Sequence, residues 1–397
     1  MFKATNIYQS LFPVYVCSKV FAFWYMKISK QGYSINRMGL IFSSTLIVFY
    51  IYIFFCKNHL HLNGIEENNL RNIVMTATVI IICMSAIVIL LHGILFCGKI
   101  IGWIDNINEF DNEMLTPLNC LSFKRSHRKV QFNSTVSFVI MIIFLVFSET
   151  VHGFIRFKNK NHELFTFASA IFIFSLPAIT TNLFVLILST KILIVKERFT
   201  LINTELLRLR KEWHINYPKL KKHGIGSIPK QFDYQYNEGI VISVLEKLRL
   251  SYCRMEKLKQ DLISIYGFPL LITVLRLFMY PLGYLLRYME WCADSCLIDI
   301  SAAFVAGPFV NTLQLSTLAY IGTWTSKEAK KAAFILHSME HTSEEMSEYI
   351  KYFSGQVLFM EINITVFGLF TLNESLLFRV MSELISFVIL FIQTGES

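Results

Sequence analysis

The last apolar segment of the chain, Asn373–Gln393, carries an ordered set of polar side chains. Ser375, Arg379, Ser382, Ser386 and Gln393 follow spacings of four, three, four and seven, and Ile389 takes the place left between the last two. On a helix these six positions form one seam. A polar stripe in lipid is costly unless it faces protein or water. Two readings stay open: the wall of a conduit, if several copies surround an axis, or polar glue between helices of one subunit. Covalent and redox chemistry have no comparable pattern. The sequence holds no P-loop, GxSxG, HExxH or dinucleotide fingerprint. His337 and His341 share a helix face, but one such pair makes no di-iron site, and a solvated helix is the plainer reading. Eight cysteines are scattered, and Cys292 and Cys296 flank a short loop where they either bridge or stay free. They have no third ligand with which to hold zinc. No metal, no cofactor and no enzymatic activity are expected.

Such a seam needs helices to hold it, and the composition says what kind. Of 397 residues, 54% are hydrophobic and only 16% charged, against about 25% charged in ordinary soluble domains. Thirty-six Phe exceed what one or two globular cores accommodate. Soluble enzyme, disordered chain and disulfide scaffold are poor fits. A spanning helix takes roughly 20 mainly apolar residues, and such runs lie at Gly39–Cys56, Ile73–Cys97, Phe132–Phe154, Leu164–Thr190, Ile263–Leu286 and Leu297–Tyr320. Asn373–Gln393 is a seventh, interrupted by Arg379 and Glu383. None shows the period-two alternation of a membrane barrel. The expected fold is all-α: a polytopic membrane protein of seven transmembrane helices.

Orientation follows from Lys and Arg in alternate loops. One side, made of 1–38, 98–131, 191–262 and 321–372, carries 29 of the 37 basic residues, and the other side carries 6. Leaving out the long 191–262 loop still gives 14 to 6. The N-terminus is expected to be cytoplasmic and the C-terminus extracellular, the reverse of a G-protein-coupled receptor. The net charge of +9 then reports topology, and no nucleic-acid partner is expected. Leu11–Met26, broken by Pro13 and Lys19, reads as an interfacial amphipathic segment rather than a signal peptide. Asn133, Asn363 and Asn373 match N-x-[ST] but lie in or beside spans, where glycosylation is not expected.

The organisation expected is a cytoplasmic N-terminus (1–38), helices one to four (39–190), a cytoplasmic loop with a helical extension (191–262) and helices five and six (263–320). A cytoplasmic helical segment (321–372) and the pore-lining last helix (373–393) follow. In the 191–262 region, Val241, Leu245, Leu248, Met255, Leu258 and Leu262 recur at helical period after a turn-rich patch from Tyr217-Pro218 to Pro229. This predicts a long helix carrying span five into the cytosol. Its apolar stripe requires partners: a helix at Thr325–Phe353, or helices of other subunits.

The C-terminal residues Phe353-x-x-Gln356, Phe367-Gly368-Leu369-Phe370-x-Leu372-Asn373 and Ser386-Phe387-x5-Gln393-Thr394 resemble the signature end of insect gustatory receptors. Those receptors usually have Thr-Tyr, five apolar residues and Gln-Phe in the last span. This chain keeps the spacing and the Gln, with Ser-Phe for Thr-Tyr and Thr394 for the final aromatic. The resemblance implies a multi-pass protein of the plasma membrane, embedded in the lipid bilayer. It implies a ligand-gated non-selective cation channel, assembled as a homo- or heterotetramer with other gustatory receptor subunits, with Gln393 at an extracellular gate. Arg379 on a cation pathway is then expected to pair sideways with Glu383 or to snorkel toward the cytoplasm.

The resemblance also implies a pocket for a small-molecule tastant in the extracellular half of each subunit. By depth, its candidates are Glu149 and His152 of span three, Phe167 and Phe174 of span four, Arg276, Tyr280 and Tyr284 of span five, and Asp299 and Phe304 of span six. Aromatics beside carboxylates suit a flat or cationic ligand, so a bitter or aversive molecule is preferred to a sugar. The alternative is structural: Arg276 paired with Glu149 or Asp299, and the aromatics used for packing. Pro269, Pro281, Pro308 and Gly283 supply possible bends. Other functions compatible with the topology are an odorant receptor of the same superfamily and, less well, a G-protein-coupled receptor or a transporter.

Overall fold

The computed structural model describes residues 4, 6–20, 26–29, 32–62, 70–115, 124–140, 142–143, 164–222, 231–294, 298–339, 343–360 and 363–395. The helices are α1 (Ile7–Ser10), α2 (Phe12–Val20), α3 (Arg37–Leu62), α4 (Leu70–Leu95), α5 (Cys97–Leu115) and α6 (124–140). They continue with α7 (Leu164–Lys222), α8 (Gln231–Asp294), α9 (Ile298–His337), α10 (Glu344–Phe359) and α11 (Glu374–Gly395). Two short antiparallel hairpins complete the described residues: β1 (Met26–Ser29) with β2 (Gly32–Ile35), and β3 (Thr365–Val366) with β4 (Phe370–Thr371).

Among the described residues, by length and composition, two helical stretches are able to cross a membrane, Pro177–His214 and Glu238–Gly283. A third arises if Ile80–Leu95 and Cys97–Met114, bent by 66° at Phe96, are taken together. These stretches run well past a bilayer. At about 1.5 Å per residue, the 64 residues of α8 are roughly three times the ~30 Å of hydrocarbon. Pro269 and Pro281 lie inside α8, and Pro308 inside α9, without ending either helix. The carbonyl that Pro269 leaves without its helical donor, Ile265 O, is met by His92 Nε2 of α4 at 2.6 Å.

Two local expectations meet a different arrangement. The helix begun by span four continues through residues 191–222, past Pro218, so most of the long connection is helical from both ends. Between α7 and α8 its apolar residues find neighbours on each other. The expected helix Thr325–Phe353 is two helices. The chain breaks after His337, and Ser343 restarts it as an N-cap, its hydroxyl accepting from Met346 N–H, with Glu344 and Glu345 in the first turn. Near the N-terminus, Ile7, Leu11 and Val14 turn into the protein core while Phe12 and Val16 stay outside.

The long-helix stripe has its partners within the subunit. Leu245, Leu248, Met255, Leu258 and Leu262 are all buried, in one core with Ile194, Phe199 and Ile202 of α7, Ala332 and Leu336 of α9, and Met346, Ile350 and Phe353 of α10. Fully burying one such side chain is worth about 1.5–3 kcal/mol, so the stripe ties these four helices firmly together.

Candidate functional site

Helix α11 begins at a cap whose parts come from three elements. Asn373 Oδ1 accepts from Leu376 N–H at 3.1 Å, and Thr323 Oγ1 of α9 accepts from Glu374 N–H at 3.2 Å. Before it, Leu372 N–H bonds Ile364 O at 2.8 Å, closing the β3–β4 hairpin. The tip of that hairpin holds Phe367 at φ 49° and Gly368 at φ 70°. Glycine takes this left-handed conformation freely; phenylalanine does so only against its Cβ sterics. The Phe367 ring lies over Gly267 of α8, where a Cβ would come within 3.2 Å of it. Opposite, Gly322 of α9 meets the Leu372 carbonyl so closely that any Cβ there would overlap it. The start of α11 is thus wedged between α8 and α9 by glycine contacts.

Beyond that start, α11 is held by a narrow face. Leu384 is buried with Leu282, Phe278 and Met279 pack around them, and the Phe278 and Phe387 rings meet edge-on at 6.0 Å. Leu376 is buried and Leu377 and Val380 are partly covered. Ser375, Arg379, Ser382, Ser386, Ile389 and Gln393 are all exposed, so the six-residue seam lies on one uncovered side. Phe378, Ile385 and Leu390 beside it are exposed as well. Ser386 Oγ donates to the Ser382 backbone carbonyl at 3.0 Å, which turns that seam hydroxyl back along the helix. Among the described residues no ion pair within 4 Å joins Arg379 and Glu383, and both are exposed. The polar-glue reading within one subunit finds no described partner for the seam.

Of the expected pocket, Glu149 and His152 lie outside the described residues. Phe167 and Phe174 fall on α7, Tyr284 on α8, and Asp299 and Phe304 on α9. Arg276 and Tyr280 come together: Arg276 is 1% exposed, with its guanidinium carbon 5.4 Å from the Tyr280 ring centroid. That is a cation–π arrangement in a desolvated place. Cys292 and the His337–His341 pair cannot be completed either, since Cys296 and His341 lie outside the described residues.

Sequence reasoning missed the polar work beneath the spans. Arg198 of α7 is fully buried and makes a two-pronged ion pair with Asp111 of α5, Nε to Oδ1 at 2.7 Å and Nη2 to Oδ2 at 2.6 Å. Its Nη1 donates to Ser126 Oγ at 3.0 Å, and Nη2 lies 3.3 Å from His127 Nδ1. Ser10 Oγ also reaches His127 Nδ1, at 3.0 Å, which ties in the N-terminal helices. With two donors aimed at Nδ1, the imidazole proton belongs on Nε2, 3.5 Å from Asp111 Oδ2. Burial and then the Arg198 charge push the His127 pKa down to about 2, so the ring is neutral.

A second knot joins α7 to α9. Lys196 Nζ sits 3.7 Å from the Trp324 ring centroid and 2.9 Å from Glu197, which also holds Lys129. A third seats α10. Gln356 Oε1 accepts from Arg249 Nη1 at 3.0 Å, its Nε2 donates to Cys253 Sγ at 3.2 Å, and Tyr349 OH donates to Glu246. Phe353, 0% exposed, meets the Tyr252 ring at 6.2 Å. Phe353 and Gln356, the motif residues before the last span, therefore serve to dock α10 on α8.

An all-helical chain with several apolar helices of this length is a multi-pass membrane protein. The chain belongs to the 7tm chemosensory receptor family, whose model matches residues 11–397. Among solved structures it is similar to the olfactory receptor OR5 of the insect Machilis hrabei in complex with eugenol, with a TM-score of 0.68, 11% identity and 97% of each chain covered. A second structure of that receptor gives a TM-score of 0.69 at 10% identity, again over 97% of each chain. At such identity the likeness speaks of the fold. No curated protein gives a significant sequence match.

Proposed function

We propose that the protein is a gustatory chemoreceptor of the plasma membrane that works as a ligand-gated non-selective cation channel. Four subunits, alike or mixed, surround one axis with their α11 helices. The N-terminus is cytoplasmic and the C-terminus extracellular. The observation that carries this reading is the seam. Ser375, Arg379, Ser382, Ser386, Ile389 and Gln393 are all uncovered on the subunit. Intramembrane Arg and Gln call for water or protein rather than lipid, and a shared aqueous axis supplies it.

The ligand is a small molecule of bitter or aversive type, taken in the extracellular half near Arg276 and Tyr280. An odorant role is the second reading, favoured by the likeness to an olfactory receptor that binds eugenol. Closure of the pocket reaches the pore through α8 and α9, whose Gly267 and Gly322 hold the start of α11. Arg379 lies within the first two turns of α11, close enough to the cytoplasmic end to extend its guanidinium into water.

The test is expression in a channel-silent cell, with tastants screened under patch clamp. Ser386→Cys and Gln393→Cys are then exposed to charged thiol reagents. Block or potentiation of the ligand-evoked current at both positions is expected. Conductance unaffected at either cysteine would remove α11 from the pore.

A further inference from the structure

Between α6, α7 and α9 the structure holds a cavity of about 250 Å³, distinct from the Arg276–Tyr280 region. Its polar lining includes Asn133 and Ser137 of α6, Asn182 and Ser189 of α7, and Gln314 and Thr317 of α9. Ser134 and Thr190 also face it, the rest is aliphatic, and no ionisable side chain contributes. Four buried polar atoms here have no hydrogen-bond partner in the protein: Asn182 Oδ1, Ser189 Oγ, and both Oε1 and Nε2 of Gln314. Asn182 and Ser189 are each 6% exposed, so bulk water does not satisfy them. Buried polar groups in folded proteins nearly always have partners, and an exception calls for an explanation.

All three helices contribute the same end of their spans: the first turns of span three and the last turns of spans four and six. In the orientation given above this is the cytoplasmic half, opposite the tastant pocket. The mouth is formed by Ser137, Ile140 and Leu313, which are exposed on the outer face of the bundle. At that depth the outer face meets lipid. A ligand for this cavity therefore arrives by partitioning into the bilayer. It carries no charge, because a desolvated charge would find no counter-charge there. It brings both donor and acceptor, to serve an amide and two lone oxygens. The volume, about eight times the ~30 Å³ share of a water molecule, suits a medium-chain alcohol and is too small for a phospholipid.

We propose that this cavity is a binding site for an uncharged, hydroxyl-bearing amphiphile drawn from the membrane. The ligand's hydroxyl sits among Asn182, Ser189 and Gln314 and its chain lies along Val185, Leu186 and Leu313. Gln314 is eight residues, about 12 Å along the helix, from Gly322, where α9 braces the start of α11. Occupancy thus bears on the helix that seats the last span.

The experiment photolabels the full-length protein in lipid nanodiscs with a diazirine-bearing octanol, maps adducts by peptide mass spectrometry, and competes with plain octanol. It needs no channel activity, so its outcome is independent of the proposed gating. Saturable adducts in 133–140, 182–193 and 310–321, removed by excess octanol, are expected. Asn182→Leu with Gln314→Leu lowers them by about fivefold or more, the worth of roughly one net hydrogen bond. Gln314→Leu alone, at a half-buried position, serves if the double variant fails to fold. Adducts spread over the lipid-facing helices without saturation would overturn the proposal. So would labelling indifferent to octanol or to Gln314→Leu, or a mouth found cross-linked to a second copy of the chain.

Discussion

Arg198→Leu is the most direct probe of what holds the region beneath the spans together. The guanidinium is 0% and the Asp111 carboxylate 3% exposed, and two short bonds join them. Removing the arginine leaves a buried carboxylate facing leucine, with His127 neutral and only its Nε2–H nearby. Breaking a buried ion pair on one side costs about 3–5 kcal/mol. With an unfolding entropy of about 2.1 cal/mol/K per residue, that lowers the thermal midpoint by at least ~4 °C for a chain of this length. Asp111→Leu with Arg198→Leu removes both charges and is expected to recover most of the loss, since a matched apolar pair is often neutral or better. The assay is gel filtration of detergent-solubilised protein after heating across a temperature series. An Arg198→Leu midpoint within a degree of the parent would refute the reasoning. A double variant no better than the single one would do the same, because it would show that the cost came from packing rather than the orphaned charge.

Other consequences are measurable in the same preparations. Gly322→Val drives a side chain into the Leu372 carbonyl, and overpacking of this kind costs about 1–3 kcal/mol. It should lower the midpoint and change thiol access at a Ser386→Cys reporter, whereas unchanged access would mean that α9 does not seat α11. His127, held neutral in the folded state at a pKa of about 2, binds fewer protons than the unfolded chain below pH ~6.5. Its contribution is therefore complete above pH ~6.5 and declines as the pH falls, by up to about 1.4 kcal/mol per unit. His127→Gln should flatten that decline between pH 7 and 5, and a slope equal to the parent's would assign the acid sensitivity elsewhere. Arg379→Gln removes a positive charge from the proposed conduit and should raise cation conductance, with the largest gain at low salt. A fall in conductance would place Arg379 off the ion path.

Periodicity exposed some of this architecture and distance concealed the rest. The seam of α11 and the stripe Leu245–Leu262 of α8 repeat within single helices, so the sequence displays them directly. The break between α9 and α10 was legible only at Ser343-Glu344-Glu345, a capping signal inside an otherwise continuous helical pattern. Arg198 and Asp111 are 87 residues apart, and nothing in the spacing of either singles out the other. The cavity residues left a faint trace: Asn182 and Ser189 are seven apart, as are Gln314 and Ile321, so each pair shares a helix face. What could not be read from one chain position at a time was that these faces meet.

The Arg198 knot also sets an order of events during synthesis. Ser10 emerges first, Asp111, Ser126 and His127 follow, and the guanidinium that joins them comes last. At about 5–20 residues per second, the 188 residues from Ser10 to Arg198 take roughly 10–40 s to make. For that interval the early helices carry polar groups whose final partner does not yet exist. Water can satisfy them only outside the hydrocarbon, and outside the expected spans is where every one of them lies. The closing arginine acts as a latch that shuts once the fourth span is in place, over an N-terminal segment that Tyr8 already ties to Asp105 and Ser10 to His127.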